Sequence, residues 1–500
     1  MDNRTTSVRG LSLRELLPDA QFLGADDIRV TSCTGDSRHC RAGDLFVALP
    51  GQTLDGHDFA AEAARRGAKA VLASRPVTNV ALPVGFVADT RHAFGLICQG
   101  LVDNPSHRLR VVGVTGTNGK TTTSHLIGGI LTAAESRLGM LGTLGYCDGV
   151  VAAPAEHTTP PAPAVASWLA RMEANNCTHA VLEASSHALA QQRLAGVRLD
   201  IACVTNVRQD HFDFHGNRRR YIAAKSRLFE HLAPEGVAVI NADDSGSVAC
   251  AAHYDGPLVT IGLETPAEIT ATPVEQYASE QTFLLDVGSD SIPVRTSLIG
   301  THNIYNCMMA AAVGLIYGID LNTIVRGLES VQFVPGRLER LECGQPYSVF
   351  VDYAHTPDAL ATCLDALRGL TQGRVICVFG AGGDRDKQKR PLMGRAVEVR
   401  SDLAVVTTDN PRSEDPAEIA ANIVAGFQDS SRAQVMHDRA EAIRWALSQA
   451  QPGDCVIIAG KGHEDYQVIG NRRNYFDDRE VARHWLYETN LSQWWDRASA

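Results

Sequence analysis

Three stretches of this sequence carry side chains whose types and spacing suit chemistry on charged groups. The first is Gly116-Thr117-Asn118-Gly119-Lys120-Thr121-Thr122, at the end of an apolar, β-branched run. Glycines there let backbone N–H groups converge on phosphate oxygens, and a following helix adds positive potential from its N-terminus. Lys120 suits the terminal phosphates and Thr121 a magnesium ion. The spacing departs from the strict phosphate-loop pattern, whose first glycine would fall at Val114. The plainer alternative is an ordinary Gly-rich turn from strand to helix. The second stretch places Glu183 and His211 at the ends of two apolar runs, where a carboxylate suits magnesium. A capping or surface residue is the plain reading of His211. The third is Asp409-Asn410-Pro411-Arg412, which on its own reads as a turn after a strand.

These residues need elements to hold them. The sequence has 500 residues, enough for about three domains. Apolar runs alternate with helical segments, the pattern of α/β domains with mainly parallel sheets. Strands are expected at 43–49 and 70–72, then at 111–114, 179–182, 201–205 and 237–240. A last group falls at 348–351, 375–379, 403–407 and 455–459. Ligands gather at the carboxyl ends of such strands. Helices are expected from Lys120 to about Ala134, over 220–231, and after Asn322. Joints fall at Asp103-Asn104-Pro105-Ser106-His107 and at Phe333-Val334-Pro335-Gly336-Arg337, which divides the chain into 1–107, 108–336 and 337–500.

The net charge of −11 argues against a nucleic-acid surface spread over the whole protein. The first residues lack the apolar stretch of a signal peptide, and the longest apolar run, 308–319, is too short for a membrane span. Twelve scattered cysteines without a C-x-x-C pair read as reduced, buried thiols, so the expected compartment is the cytoplasm.

The phosphate-loop stretch resembles that of the Mur ligases and of their relative folylpolyglutamate synthase. Further blocks similar to that family follow in order: Glu-Ala-Ser-Ser-His at 183–187, Asp-His-Phe-Asp-Phe-His-Gly at 210–216 and Tyr-Ile-Ala-Ala-Lys-Ser at 221–226. Then come Gly-Thr-His-Asn at 300–303, Pro-Gly-Arg-Leu-Glu at 335–339 and Asp-Tyr-Ala-His-Thr-Pro at 352–357. The resemblance implies three α/β domains: an N-terminal UDP-binding unit, a central ATPase-like parallel sheet and a C-terminal Rossmann-like unit. It implies a ligase of peptidoglycan synthesis that forms an amide through an acyl phosphate, with ATP and magnesium, acting as a monomer without nucleic acid.

The resemblance also assigns roles. Lys120, Glu183, His211 and Lys225 would be catalytic, with Thr121, Glu183, His211 and a carbamylated Lys225 around magnesium. A solvated helix face is the plain reading of Lys225. ATP would meet Gly116, Thr117, Asn118, Gly119, Lys120, Thr121 and Thr122, then Asn303, Arg337 and Asp352. The plain alternatives are a helix cap for Asn303 and a hinge salt bridge for Arg337. A UDP-linked muramyl dipeptide would meet Gly35, Ser37, Gln52, Thr53 and Leu54 in the first unit. In the second it would meet His157, Thr158, Thr159, Ser185, Gln191 and Arg193. Asp409, Asn410, Pro411 and Arg412, with Arg385, Gly460 and Glu464, resemble the family's recognition of meso-diaminopimelate. Arg suits a carboxylate through its planar fork. The competing readings are a ligase for L-lysine or for another substrate such as folate, a regulatory P-loop ATPase and an inactive nucleotide-binding partner.

Overall fold

The protein was analysed as a computed structural model that describes residues 10–51 and 53–498, with side chains through Thr489. Gln52 lies outside the described residues. Three larger sheets organise them. The first has five strands, ordered Gln21–Leu23, Val84–Phe86, Ala70–Ala73, Leu45–Val47 and Cys33–Thr34, parallel except for the first pair.

The second sheet has eleven strands. Its centre is parallel, with Arg110–Thr115 between His179–Glu183 and Leu199–Val204. All five residues of His179–Glu183 are buried, as expected of a strand covered on both faces. Beyond Leu258–Gly262 the sheet continues into Ile269–Gln276, Gln281–Val287 and Asp290–Thr296, the last two joined antiparallel. This extension was not foreseen in the sequence. Its strands are half-exposed and lack the continuous apolar run that marks the central ones.

The third sheet has six strands, ordered Glu339–Arg340, Ser348–Asp352, Cys455–Ala459, Val375–Phe379, Leu403–Val406 and Ala433–Val435. It is parallel except for its first pair. A short hairpin, Tyr466–Ile469 with Arg472–Tyr475, stands beside it.

The helix after the phosphate loop, Lys120–Ala133, packs its Ile127, Ile130 and Leu131 into a core shared with Met308, Ile324 and Leu328. The last of these belong to helix Leu321–Ser330, which approaches so closely that a Cβ on Gly327 would collide with the Ile130 backbone. The helix expected over 220–231 runs instead from Arg218 to Ser226 and then tightens into a 3₁₀ turn, Arg227–His231. Asn217 caps its start by accepting from the Arg220 amide. Nine cysteines, Cys203 and Cys307 among them, are buried free thiols. No described helix is long and apolar enough to cross a membrane.

Candidate active site

The carboxyl ends of the central strands of the second and third sheets open on one chamber of about 830 Å³, within the size range of ligand pockets. Its floor is the phosphate loop. Gly119 has φ 86°, a backbone that L side chains rarely adopt, and a Cβ there would press on Asn306. The Asn118 amide donates to Asn206 Oδ1 at 2.9 Å. Lys120 begins the helix, and its Nζ donates to the Gly116 and Thr117 carbonyls at 2.9 and 3.0 Å. Burial pushes its pKa down, opposed by the charges of Glu183 and Asp210. Thr122 is buried beside it.

Glu183 ends its strand fully buried, and its carboxylate gathers three donors. Thr121 Oγ1 and Thr143 Oγ1 each donate to Oε2 at 2.9 Å, and the Thr143 amide donates to Oε1 at 2.9 Å. Thr143 was missed in the sequence, because an isolated threonine in a turn gives no signal of its partner. Lys225 is 1% exposed, which excludes a solvated helix face. Its Nζ donates to Gly116 O at 2.7 Å and sits 4.7 Å from the Tyr221 ring centroid. Burial, and then the charge of Lys120, hold its pKa well below the ordinary lysine range.

His211 has φ 54°, an unusual strain for a non-glycine residue. Its Nε2 stands 3.3 Å from Asp210 Oδ2, and its ring meets His187 edge-on at 4.7 Å. Burial pushes the imidazole pKa down to about 3, opposed by the charge of Asp210. Among the described residues no three His, Cys, Asp or Glu side chains form a ready metal cage. The adjoining Glu183 and Thr121 oxygens nevertheless fit a hard cation, and a neutral Lys225 amine is the form able to take up carbon dioxide.

Asn303, Arg337 and Asp352 line the same chamber. Asn303 is no N-cap, since Gly300 holds that place. Its Nδ2 donates to Ile299 O, and its Oδ1 accepts from Asn306. Arg337 forms no hinge ion pair with a carboxylate among the described residues. It reaches from the third sheet to the phosphate loop, donating to Thr121 Oγ1 at 3.2 Å, with its guanidinium over the Tyr353 ring. Asn118 answers in the other direction, donating from Nδ2 to Asp358 Oδ2 at 3.2 Å. Both Asp352 oxygens accept from backbone amides, those of Leu338 and Ala354.

On the opposite wall, Thr159 Oγ1 donates to Glu183 O, and Arg193 donates to Thr159 O at 2.7 Å. Gln191 orients Arg193 by accepting from Nε and Nη2, without itself lining the chamber. His157, Thr158 and Ser185 line it. Of the residues expected in the first unit, Gly35, Ser37, Thr53 and Leu54 do not. Ser37 donates to Glu62, Leu54 and Thr53 stand exposed on their loop, and Gly35 leaves room for Leu49.

The third-sheet loops complete the walls. Asp409 and Asn410 are buried, and Arg412 has φ 52°. The Arg412 amide donates to Val468 O, and its carbonyl accepts from Gly470, so the hairpin grips the loop. Arg412 Nη1 donates to Gly383 O at 2.7 Å, and Arg385 Nη1 to Asp384 O at 3.0 Å. Pro411 packs by its backbone against Gly383, where a Cβ would collide. A Cβ on Gly460, at φ 117°, would stand 3.1 Å from Asp409 Oδ2. Asn410 Nδ2 donates to Glu464 Oε2 at 3.0 Å, and burial raises the Glu464 pKa. His187, His355, Lys389 and Tyr466 also face the chamber and were not singled out in the sequence.

Comparison with known proteins agrees with this arrangement. The family descriptions "Mur ligase family, catalytic domain", "Mur ligase middle domain" and "Mur ligase, glutamate ligase domain" match residues 29–90, 114–314 and 336–462. The chain is 42% identical over 455 residues to the UDP-N-acetylmuramoyl-L-alanyl-D-glutamate--2,6-diaminopimelate ligase of Geobacillus thermodenitrificans, covering 90% of this chain and 93% of that one. A solved structure of a ligase of the same name superposes with a TM-score of 0.68 at 34% identity, covering 96% and 99% of the two chains. Folylpolyglutamate synthase of Mycobacterium tuberculosis, solved with ADP and AMPPCP, shares the fold at 20% identity and a TM-score of 0.61, covering 74% of this chain and 92% of that one. With matching domains along most of its length and a relative at 42% identity, the chain belongs to the Mur ligase family.

Proposed function

We propose that this protein is an ATP-dependent ligase of peptidoglycan precursor synthesis. It joins meso-diaminopimelate to the D-glutamate of UDP-N-acetylmuramoyl-L-alanyl-D-glutamate in the cytoplasm. The observation that carries the reading is the shared chamber. A phosphate loop, a carboxylate with oxygen donors around it, and a pocket with separate acidic and basic sides face one another across it. The names of the relatives support the same substrates.

In this reading residues 1–107 hold the UDP-sugar with Gly35, Ser37, Gln52, Thr53 and Leu54, residues 108–336 hold ATP, and residues 337–500 hold the amino acid. His157, Thr158, Thr159, Ser185, Gln191 and Arg193 guide the dipeptide toward the phosphate loop. Its γ-carboxylate attacks the terminal phosphorus of ATP, and the amine of diaminopimelate then displaces phosphate from the acyl phosphate. Lys120 balances phosphate charge, while Asn303, Arg337 and Asp352 place the nucleotide. Thr121, Glu183, His211 and a carbamylated Lys225 would hold magnesium, which when bound screens the charge on the transferring group. The protein's share is positioning and electrostatics.

The test is phosphate release with the UDP-muramyl dipeptide and a panel of amino acids. Diaminopimelate differs from lysine by one carboxylate, so lysine would leave a pocket arginine without its partner. Sites built around such a group reject the analogue lacking it by about 10⁴-fold. Wild type should use diaminopimelate and almost ignore L-lysine. Arg412→Ala should lower kcat/KM for diaminopimelate by about 10²-fold and narrow the gap to lysine. A wild type that prefers lysine would make this a lysine-adding ligase. Turnover of ATP without either acceptor would favour a regulatory ATPase.

A further inference from the structure

Lys461 follows the strand Cys455–Ala459, and its side chain is fully buried. It does not line the chamber, but the groups around its ammonium all do. Nζ donates to Asn410 Oδ1 at 3.0 Å and to Tyr466 O at 2.7 Å. It stands 3.3 Å from Asp409 Oδ1 and 3.8 Å from Glu464 Oε2.

One ammonium between two carboxylates leaves an excess negative charge. The nearby Arg439 also acts on Asp409, but Asp478, which accepts from its Nε and Nη2 at 2.7 Å, matches its charge, so the group as a whole keeps one excess negative charge. Asp409 Oδ1 has the Lys461 ammonium at 3.3 Å and no other donor among the described residues. A buried carboxylate oxygen with one distant donor has acceptor capacity to spare. Beside this bank, Arg412 donates to the Gly383 and Asn410 carbonyls and Arg385 to that of Asp384, and neither forms an ion pair among the described residues. The two sides together therefore complement a group that carries an ammonium next to a carboxylate.

We propose that Lys461 is a positioning residue for the acceptor. Its ammonium holds Asp409, Asn410 and Glu464 as one acidic bank with a single excess negative charge, which receives an ammonium of the incoming amino acid while Arg385 and Arg412 take its carboxylate. The inference rests on the amino-acid-acceptor reading above. Burying an ion is tolerated when its partners are in place, and removing one partner leaves the others uncompensated. Asp409 and Glu464 face Lys461 directly. Arg439, His355 and the phenols of Tyr353 and Tyr466 are the other titratable groups close to that pair.

The test compares KM values for all three substrates in wild type, Lys461→Met, Lys461→Arg and the charge-matched Lys461→Met/Glu464→Gln. Lys461→Met should raise KM for diaminopimelate at least about tenfold, with KM for ATP and the UDP-dipeptide within about twofold. Without the ammonium, two close carboxylates cannot both stay ionised near neutrality. KM for diaminopimelate should therefore become pH dependent, falling as pH rises from about 6.5 to about 8.5. The double variant should bind diaminopimelate weakly without that dependence. Should Lys461→Met not fold, Lys461→Arg and the double variant carry the test, each with a selective rise in KM for diaminopimelate. A variant whose three KM values and kcat shift together, or whose KM for diaminopimelate is unchanged, overturns the inference while the acceptor reading stands. A wild type that uses no diamino acid overturns both.

Discussion

Two lysines show how one side-chain type is put to different work by its surroundings. Lys120 starts a helix on the chamber floor, with its ammonium folded onto the loop carbonyls. Lys120→Ala should abolish ligase turnover, by at least about 10³-fold, with an unchanged thermal midpoint, because the residue acts on phosphate charge and not on packing. Near-normal product formation in a discontinuous assay would remove the phosphate-loop reading. Lys225 is sealed beneath the same loop, where its amine is driven toward neutrality. Lys225→Ala should lose most activity, and a small carboxylic acid should restore part of it by supplying the missing carboxylate. Intact mass of active protein held in bicarbonate should show the carbamate. An unmodified Lys225 in such a preparation would end that assignment.

At the scale of elements, the helix pair beneath the phosphate loop depends on two glycines. A Cβ on Gly129 would stand 2.6 Å from the Gly327 carbonyl, and one on Gly327 would press into the Ile130 backbone. Gly327→Ala should destabilise the protein by about 1–3 kcal/mol through overpacking, despite the helix propensity gained. Equilibrium denaturation would measure this, and a neutral or stabilising result would mean that the helices can part. The parallel strands that feed the chamber were legible in the sequence, because both faces are covered and the runs are uniformly apolar, as in Val375–Phe379. The antiparallel extension was not, since its half-exposed strands blend with loop composition. The site followed the same division. Lys120 stood out by type and spacing in its Gly-rich motif, whereas Arg412 was singled out only through the family resemblance. Thr143 and Lys461 could not be found, because their roles arise from partners 40 and 51 residues away, Glu183 and Asn410.

Across the whole molecule, several histidines are held uncharged by burial. The pKa values of His179, His215 and His231 are each pushed down to about 4, in every case chiefly by desolvation. An unfolded chain would protonate them near about 6.5. As pH falls from that value toward about 4, the unfolded state takes up protons that the fold excludes. Stability present above about pH 6.5 is then lost, at up to about 1.4 kcal/mol per pH unit for each residue. The thermal midpoint should fall steadily over that window, before most carboxylates protonate. A midpoint that stays level from about pH 7.5 to about pH 5 would contradict the burial of these rings.

The chamber has mixed parentage. Its floor descends from the second sheet and its acceptor wall from the third, and they meet through contacts as slender as Asn118 with Asp358 and Arg337 with Thr121. Loop exchange at 383–385 and 409–412 would leave the strands of both sheets untouched, so new specificities could arise by drift in a few turns and not by the invention of a fold.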